Sequence, residues 1–547
     1  MTLAVKPRVP LDSQHFHVVI IGGGINGVAV ARECARAGKR TLLVEQNDFA
    51  SGVTSRSTRI IHGGLRYLEH GELDLVRESV RERERLLRER SHLVHPLNFL
   101  LLLNEQSQHS ALKVRAGLWL YHRLAGRKSS AHLSEMELKR VERALDTGHR
   151  WSLFSYEDAQ CEFPERLVAE WLTEAIAAGA VVRNHAEVLA VDVAHGRARG
   201  ILLRDRTSGK DERIDAAWIL NCTGPWADRL CQRSSVRTTQ PLLGGVRGSH
   251  IVLPRFSGAP NVALYTEAAD GRPVFVLPWN EQVLVGTTEV SDNGDPAKTA
   301  PSNEEIEYLF ATVTRLFPKA RIAPHDIKYA FAGIRPLPHS PGDRPSAVTR
   351  RHFLHDHTDE GAARMISVVG GKLTTAAALA RECARKIGLA VPEPKALAVG
   401  PGSTLDPLLD QAVLEIARAG AVSEESARGM VEWHGKRAMD IARMALVSAE
   451  LRAPICPHTS HIVAEVVEAY RNECAVTLGD VLLRRIPVAL GPCWSESCSR
   501  EAALRIGAVL GWNEQTMGSN LEAFEMERAA FLHRPARRSS ALQTAAD

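Results

Sequence analysis

The sequence has no long apolar run and little net charge. No stretch approaches the roughly 20 apolar residues that a membrane-spanning helix needs, and the opening MTLAVKPRVPLDSQ lacks the apolar core of a signal peptide. Lys and Arg total 68 against 64 for Asp and Glu, a net charge of +4 over 547 residues. This balance gives no electrostatic case for a nucleic-acid partner. We therefore expect an intracellular protein whose membrane contact, if any, is peripheral.

Cysteine pairs and zinc motifs are also missing. The nine cysteines are scattered without a Cys-x-x-Cys pair, which favours reduced, mostly buried thiols over a disulfide framework. Among 22 histidines we find no His-Glu-x-x-His motif and no paired Cys/His spacing, so we expect no metal site. The spacing of Cys456, Cys474, Cys493 and Cys498 does not match an iron–sulfur centre.

What the chain does have is the length and apolar content for several folded units. It is 44% hydrophobic and 24% charged, as in globular proteins. From Phe16, the sequence FHVVIIGGGINGVAVARECARAGKRTLLVEQ predicts a strand, a glycine turn, a helix and a second strand. Residues 151–225 resume this alternation, whereas residues 248–288 alternate as short strands typical of an antiparallel sheet. From about residue 405 to 533 the pattern is helical.

The glycine turn has the dinucleotide-binding fingerprint. Gly22-x-Gly24-x-x-Gly27 joins the predicted strand to the predicted helix, and Glu45 ends the next strand. Such glycines permit a tight turn, close approach of a pyrophosphate and close packing of helix on strand, and the helix N-terminus favours phosphate charge. The acid at position 45 accepts from ribose hydroxyls and argues against NADP. The spacing alone leaves FAD and NAD open.

Downstream motifs make the chain resemble the FAD-dependent glycerol-3-phosphate dehydrogenases, respiratory flavoproteins that pass electrons to quinone. After GGGING, the motifs occur in the order GVTSRSTR (52–59), IHGGLRYLEH (61–70), NCTGPW (221–226), GSHIVLP (248–254), FVLPW (275–279), GTTEV (286–290), GIRP (333–336) and GGKLTT (370–375). The resemblance runs from Phe16 to about Cys383, and a weaker resemblance in the helical pattern continues over residues 400–533.

The resemblance implies the fold class and its domains. It implies an α/β protein in which a Rossmann-like FAD-binding domain carries an antiparallel-sheet substrate (cap) domain and a C-terminal helical domain. The predicted boundaries are a discontinuous FAD-binding domain (16–110, 151–240 and 327–388), a cap domain (241–326, with 111–150 as an insertion), a helical domain (400–533) and flexible termini (1–15 and 534–547).

The resemblance also implies which residues hold FAD. The residues expected to contact the cofactor are Gly22, Gly24, Asn26, Gly27, Glu45, Ser57, Thr58, His62, Gly63, Gly64, Thr223, Gly224, Gly371, Lys372, Leu373 and Thr374. A helix beginning after Gly370 and Gly371 would direct its N-terminal amides at the flavin. Lys372 stands out because the chain has only 13 lysines against 55 arginines.

The implied reaction is oxidation of sn-glycerol 3-phosphate to dihydroxyacetone phosphate, with hydride passing to flavin N5. Arg335 and Arg350 match positions of a phosphate clamp, with Arg66, Tyr67 and Thr287 as further substrate contacts. Arginine suits this role because its planar fork binds phosphate oxygens in pairs. The expected catalytic residues are His62, Arg335 and Lys372. For His62, a role as base and a role as flavin orienter both stay open.

Two departures from the family pattern bear on these expectations. Ala376 and Ala377 stand where the family usually has Tyr-Arg after GGKLTT, which removes a polar pair expected near the flavin edge. Glu289 replaces the usual Asp of GTTEV.

Two functions remain as alternatives to glycerol 3-phosphate oxidation. They are an amine or amino-acid oxidase of the same fold and a flavin-binding protein without turnover.

Quinone as acceptor requires approach to a bilayer. The segment Ala111 to Lys128, ALKVRAGLWLYHRLAGRK, interleaves Leu, Trp and Tyr with Lys and Arg, which is typical of an interfacial helix but equally of a buried helix with a charged outer face. We expect a cytoplasmic protein, peripheral on the cytoplasmic face of the inner membrane. A homodimer is an expectation by analogy alone.

Overall fold

The computed structural model describes residues 8–125, 133–345, 347–392 and 407–533. Its strands are β1 His15–Ile21, β2 Thr41–Val44, β3 Ile60–Ile61, β4 His95–Leu103, β5 Ser152–Gln160, β6 Val181–Arg183, β7 Ala186–Ala194, β8 Arg197–Asp205, β9 Asp211–Asn221, β10 Leu243–Pro254, β11 Ala263–Glu267, β12 Pro273–Trp279, β13 Gln282–Gly286, β14 Val290–Ser291, β15 Tyr329–Pro338, β16 Phe353–Asp356 and β17 Met365–Val369.

Its helices are α1 Ile25–Arg36, α2 Leu73–Glu89, α3 Ala111–Ala125, α4 Glu135–Ala144, α5 Pro164–Ala177, α6 Ala227–Arg233, α7 Asn303–Leu316, α8 Ala376–Lys386, α9 Pro407–Gly420, α10 Glu424–His434, α11 Ala438–Ala445, α12 Ala449–Arg452, α13 Val463–Asn472, α14 Leu478–Asp480, α15 Glu496–Leu510 and α16 Glu514–Ala529.

The first sheet has a parallel centre. Its order is β16-β17-β9-β1-β2-β6, and β7 and β8 extend from β9 as antiparallel strands. In β1, Val18 and Ile20 pack against α1, α5 and α8, while Phe16 and Val19 face the β7–β8 side. Burial on both faces explains the uninterrupted apolar run of this strand. The predicted α/β fold class is confirmed.

The second sheet draws strands from distant parts of the chain. Its order is β14-β10-β13-β12-β11-β4-β5-β3, with β15 paired to β10. All of these pairings are antiparallel except that of β4 with β11. We assigned β3, β4, β5 and β15 to the FAD-binding domain, and the structure corrects this: they belong to the cap sheet. Local periodicity identifies a strand but not its partner.

The helical region from α9 to α16 is packed onto both sheets. Asp48, just after β2, accepts from Arg484 and Arg485 of this region, with Arg485 Nη1 at 2.7 Å. Arg166 of α5 donates to Glu473 at 2.8 Å, and both side chains are fully buried. The Tyr329 hydroxyl donates to the Gly491 carbonyl at 2.9 Å. These buried contacts fix the helical region against the rest of the molecule.

The described residues include part of the N-terminal segment and all of the cysteines. Residues 8–15 are ordered: Leu11 is buried and Arg8 pairs with Asp205 at 3.1 Å. Residues 1–7 and 534–547 lie outside the described residues. All nine cysteines are described and free, and seven of them are buried. Within the described ranges, no helix combines the length and apolar character needed to cross a bilayer.

Candidate functional site

A cleft of about 990 Å³ lies between the two sheets. The glycine turn after β1 and the turn after β9 form one end, and β10, β12 and β15 form the other. Residues of the C-terminal helical region, including Asp480 and Arg484, complete the wall. In open α/β sheets, ligands bind beyond the carboxyl ends of the strands, which is where the first end of this cleft lies.

The glycines of the turn allow close packing of the backbone and close approach of a ligand. Gly22 has φ +106°, and a Cβ there would lie 2.5 Å from the Cys222 carbonyl oxygen. Gly27 faces inward, because a Cβ there would overlap the Gly22 carbonyl. Gly24 lines the cleft, and the nearest atom to its added Cβ would be Thr54 Oγ1 at 3.3 Å. Gly22 and Gly27 thus set the turn, and Gly24 leaves its backbone open to a ligand.

Polar groups beside the turn suit a dinucleotide. The Glu45 carboxylate accepts from the Gly23 N–H at 2.7 Å and the Asn47 N–H at 2.9 Å, and burial raises its pKa. Asn26 is the second residue of α1, and its buried Oδ1 has no hydrogen-bond partner. An orphaned acceptor and a helix N-terminus at the same wall indicate a polar ligand group there.

The middle of the cleft carries Ser57, Thr58 and His62. Thr58 Oγ1 lies 2.9 Å from His250 Nε2, and the His62 N–H donates to Thr374 Oγ1 at 3.2 Å. The last contact joins the turn after β3 to the segment preceding α8. Two predicted cofactor contacts from different parts of the chain therefore meet at one place.

Burial controls the charges at this point. It lowers the pKa of His62 to about 4 and that of His250 to about 3, so both imidazoles are neutral at pH 7. It also lowers the pKa of Lys372 to about 8, while Glu78 and Glu72 act in the opposite direction. Lys372 Nζ donates to Ser79 Oγ at 3.0 Å and lies 4.5 Å from the centre of the Tyr67 ring. Lys372 therefore carries a positive charge at neutral pH.

Three arginines converge on one acid at the far end. Glu289 Oε1 accepts from Arg66 at 3.1 Å and from Arg350 at 2.9 Å. Arg335 Nη2 donates to Thr287 Oγ1 at 2.9 Å. We call Arg66, Arg335 and Arg350 the arginine cluster. Three positive charges against one negative charge suit a dianionic phosphate.

The electrostatics of the cluster agree with this. Burial lowers the pKa of Arg335 to about 10, and the neighbouring Arg350 and Arg66 act in the same direction while Glu289 opposes them. Burial alone would raise the pKa of Glu289, but the surrounding arginines hold it below its ordinary value. Burial raises the pKa of Tyr67 to about 12, so its hydroxyl keeps its proton. The cluster holds an excess of half-buried positive charge that an anion would compensate.

Most of the predicted site residues line this one cleft. Those that do are Gly22, Gly24, Asn26, Glu45, Ser57, Thr58, His62, Arg66, Tyr67, Thr223, Gly224, Thr287, Arg335, Arg350, Gly371, Lys372, Leu373 and Thr374. Gly27, Gly63 and Gly64 are not among the lining residues. The Gly63 N–H donates to the Tyr121 hydroxyl at 2.9 Å, and Gly64 has φ +79° with the Tyr67 ring where a side chain would be. Both glycines act by packing the turn.

Two details near α8 differ from expectation. The helix begins at Ala376, after a turn through Thr374, and not directly after Gly371. Ala376 and Ala377 are buried in the apolar core that also holds Val28 of α1, so neither lies at the cleft wall. Their small side chains serve the packing of α8 on α1.

Sequence reasoning missed several functional side chains. His250 lies in the quoted motif GSHIVLP, but nothing local shows that it bonds Thr58 and stacks on Phe331 with ring centres 5.1 Å apart. Glu289 was noted only as a departure, whereas it joins two of the arginines. Beneath Gly63, Asp158 accepts from the Tyr121 hydroxyl at 2.7 Å and from Arg83. The ordered motifs contain His250 and Glu289 but not Asp158, for which the sequence carries no signal.

Comparison with known proteins accords with this geometry. The family model described as "FAD dependent oxidoreductase" matches residues 17–385, and that described as "C-terminal domain of alpha-glycerophosphate oxidase" matches residues 363–517. A glycerol-3-phosphate dehydrogenase from Synechocystis is 37% identical over 88% of this chain and 90% of its own length. The chain belongs to the FAD-dependent glycerol-3-phosphate dehydrogenase family.

Other relatives extend the comparison. A D-erythritol 1-phosphate dehydrogenase from Brucella abortus is 36% identical over 65% of this chain and 70% of its own length. The crystal structure of the glycerol-3-phosphate dehydrogenase from Bacillus halodurans complexed with FAD matches with a TM-score of 0.75 at 23% identity, covering 96% of each chain. This last likeness shows that the family's fold is kept.

The residues present fit the FAD of this family. The open backbone at Gly24 and the start of α1 suit the pyrophosphate, Glu45 suits the ribose, and the orphaned Asn26 Oδ1 supplies an acceptor. His62, Thr374 and Lys372 line the same cleft. The predicted FAD cofactor is confirmed by the family.

Proposed function

We propose that this chain oxidises sn-glycerol 3-phosphate to dihydroxyacetone phosphate and passes the electrons to a quinone. The observation that carries the proposal is the arginine cluster, which lies in the same cleft as His62 and Lys372. If these arginines bind the phosphate, the short polyol attached to it lies beside His62 and Lys372. The names of the curated relatives support the same substrate class.

The chain's own residues supply binding and proton transfer. Arg335 and Arg350 bind the phosphate. Arg66, which Glu289 holds in position, contacts the phosphate as well. His62, neutral because its pKa is about 4, accepts the hydroxyl proton at a ring nitrogen. Lys372 stabilises the negative charge that develops in the transition state. FAD, when bound, supplies the hydride acceptor.

A substrate panel tests this proposal. Turnover of the purified holoprotein is measured with a soluble quinone on sn-glycerol 3-phosphate, D-erythritol 1-phosphate, glycerol, sarcosine and glycine. We expect the highest kcat/KM with glycerol 3-phosphate and no turnover of glycerol, which lacks the phosphate. Oxygen consumption with sarcosine or glycine, and none with glycerol 3-phosphate, would instead identify an amine oxidase.

The charge of Lys372 predicts a pH dependence. Because the pKa of Lys372 is about 8, the ammonium loses its proton as the pH rises through 8, and the rate of flavin reduction falls. In Lys372→Arg the side chain stays charged, so the pH at which the rate of flavin reduction falls should rise by more than about one pH unit. Stopped-flow reduction at saturating substrate measures both profiles. An unchanged limb in Lys372→Arg would show that another group titrates there.

A membrane-facing surface would support quinone as acceptor. On α3, the side chains of Leu112 and Trp119 are 77% and 68% exposed, and Lys113, Arg115 and Arg123 lie on the same helix. Apolar and basic side chains together suit the interface of an anionic bilayer. Arg127 and Lys128, the other basic residues of this predicted segment, lie outside the described residues. We infer that α3 contacts the cytoplasmic face of the inner membrane.

Liposome binding tests the role of α3. Leu112→Ser combined with Trp119→Ser should lower partitioning onto anionic liposomes by about tenfold, because roughly 1.5 kcal/mol of apolar burial is lost. Co-sedimentation of the holoprotein measures this. Leu504→Ser, which changes a 53% exposed leucine of α15, is the matched control and should bind as the parent does. Equal binding of all three proteins would remove α3 from the proposal.

A further inference from the structure

A group of side chains outside the cleft has the composition of a zinc site. The ligand atoms of Cys456, His458 and Cys498 all lie within 4.8 Å of one another. His458 Nδ1 is 3.3 Å from Cys498 Sγ. None of the three lines the cleft, so the family reaction does not account for the grouping. Soft thiolates with an imidazole are the ligands that Zn²⁺ prefers in closed protein sites.

The spacing matches tetrahedral coordination. With Zn–S near 2.3 Å and Zn–N near 2.0–2.1 Å, neighbouring ligand atoms of a tetrahedral site are roughly 3.6–3.8 Å apart. The separation of His458 Nδ1 and Cys498 Sγ is within a few tenths of an ångström of that value. Small side-chain movements would therefore bring the three atoms onto one ion.

The surroundings favour a thiolate at Cys498. Cys498 is the third residue of α15, and its N–H donates to the N-cap Ser495 Oγ at 3.4 Å. Ser495 Oγ in turn lies 3.4 Å from Cys498 Sγ as a donor. A helix N-terminus and a hydroxyl donor both stabilise negative charge on sulfur. Both groups therefore stabilise Cys498 as the thiolate that would bind a cation.

A fourth ligand is adjacent. Cys493 is exposed, and its Sγ donates to the His458 carbonyl oxygen at 3.7 Å. Cys498 Sγ donates to the Cys493 carbonyl oxygen at 3.9 Å. Cys493 therefore lies beside the group, and rotation of its side chain would bring its thiol toward the other three ligands. The exposure of Cys493 and His458 also gives an ion a route in.

We propose that Cys456, His458, Cys498 and Cys493 bind one structural Zn²⁺. The ion would join the loop before α13, closed by the Pro454–Ile462 bridge, to the N-terminus of α15. Four protein ligands leave no position for substrate, so the effect is on the stability of the helical region and not on turnover. The sequence motifs predicted no metal site, because Cys456 and His458 alone match no zinc motif and Cys493 and Cys498 lie far along the chain from them.

Metal analysis of the full-length holoprotein tests the proposal. Protein expressed with added zinc and then dialysed should retain about one zinc per chain. His458→Ala, which changes an exposed side chain, should retain less than about a tenth of that amount, as should Cys498→Ser. His325→Ala and Cys474→Ser, a surface histidine and a cysteine outside the group, should retain the zinc of the parent. Cobalt replacement should give a thiolate-to-cobalt charge-transfer band in the parent and the two controls, and not in His458→Ala or Cys498→Ser.

Thermal unfolding adds a readout of the structural role. Zinc removal by a chelator should lower the Tm of the parent and leave that of His458→Ala unchanged, while flavin reduction by substrate proceeds in both. The proposal is overturned if the parent retains no stoichiometric zinc, or if His458→Ala and the parent retain equal amounts. A Cys456–Cys498 disulfide found by mass spectrometry of the freshly purified, zinc-replete protein would also overturn it.

Discussion

Replacing Arg335 by alanine is expected to raise the KM for glycerol 3-phosphate by about 10-fold to about 150-fold. The reason is the loss of a charged hydrogen-bonding partner of the phosphate, which typically costs about 1.5–3 kcal/mol. Arg335 is half-buried at the arginine cluster and contacts Thr287 and the Thr288 carbonyl. Bound FAD should be unaffected, because these contacts are distant from the glycine turn in the cleft. Steady-state kinetics and the flavin absorbance spectrum measure the two quantities.

Two variants give this prediction its controls. Arg335→Lys keeps the charge but loses the planar fork, so its KM should fall between those of the parent and Arg335→Ala. Arg204→Ala removes an exposed arginine that pairs with Asp211 outside the cleft, and it should change neither KM nor FAD content. An Arg335→Ala protein with the parent's KM would mean that the arginine cluster does not bind the phosphate.

Gly24→Val is expected to lower FAD affinity by about tenfold to about a hundredfold while leaving the protein folded. A Cβ at this position meets only Thr54 Oγ1, at 3.3 Å, within the protein, but a larger side chain would extend into the cleft where the backbone must approach the pyrophosphate. Overpacking of this kind costs about 1–3 kcal/mol. Fluorescence titration of the apoprotein with FAD measures the affinity, and circular dichroism checks the fold.

Gly117→Ala is the matched glycine control for this variant. Gly117 lies in α3, where an added Cβ meets nothing within 4 Å, so FAD affinity should be that of the parent. Gly24→Ala should give an intermediate loss, because its side chain is smaller. If Gly24→Val bound FAD normally, the pyrophosphate would have to lie elsewhere.

The parts of the site that are local in sequence could be predicted from the sequence. The fingerprint of Gly22, Gly24 and Gly27 with Glu45 spans a single βαβ unit, so its strand, turn and helix are visible as one pattern. Arg335 and Lys372 lie in the ordered motifs of the family, and Arg350 matches a family position outside those motifs. The structure adds that they share a cleft with His62.

The parts that depend on long-range pairing could not be predicted. Nothing near β4 shows that it pairs with β11 and β5 in the cap sheet, because the strand's partners are set by tertiary packing. The link of Glu289 to Arg66 joins residues more than two hundred positions apart. Cys456 and Cys498 likewise meet only because α15 packs against the loop before α13.

The most direct measurement is an anaerobic titration of the yellow holoprotein with sn-glycerol 3-phosphate, followed by flavin absorbance. The account predicts that the oxidised flavin spectrum bleaches as about one substrate per chain is added, and that glycerol without the phosphate causes no change at the same concentration. A spectrum that stays oxidised at saturating glycerol 3-phosphate, or a purified chain that takes up no FAD, would contradict it.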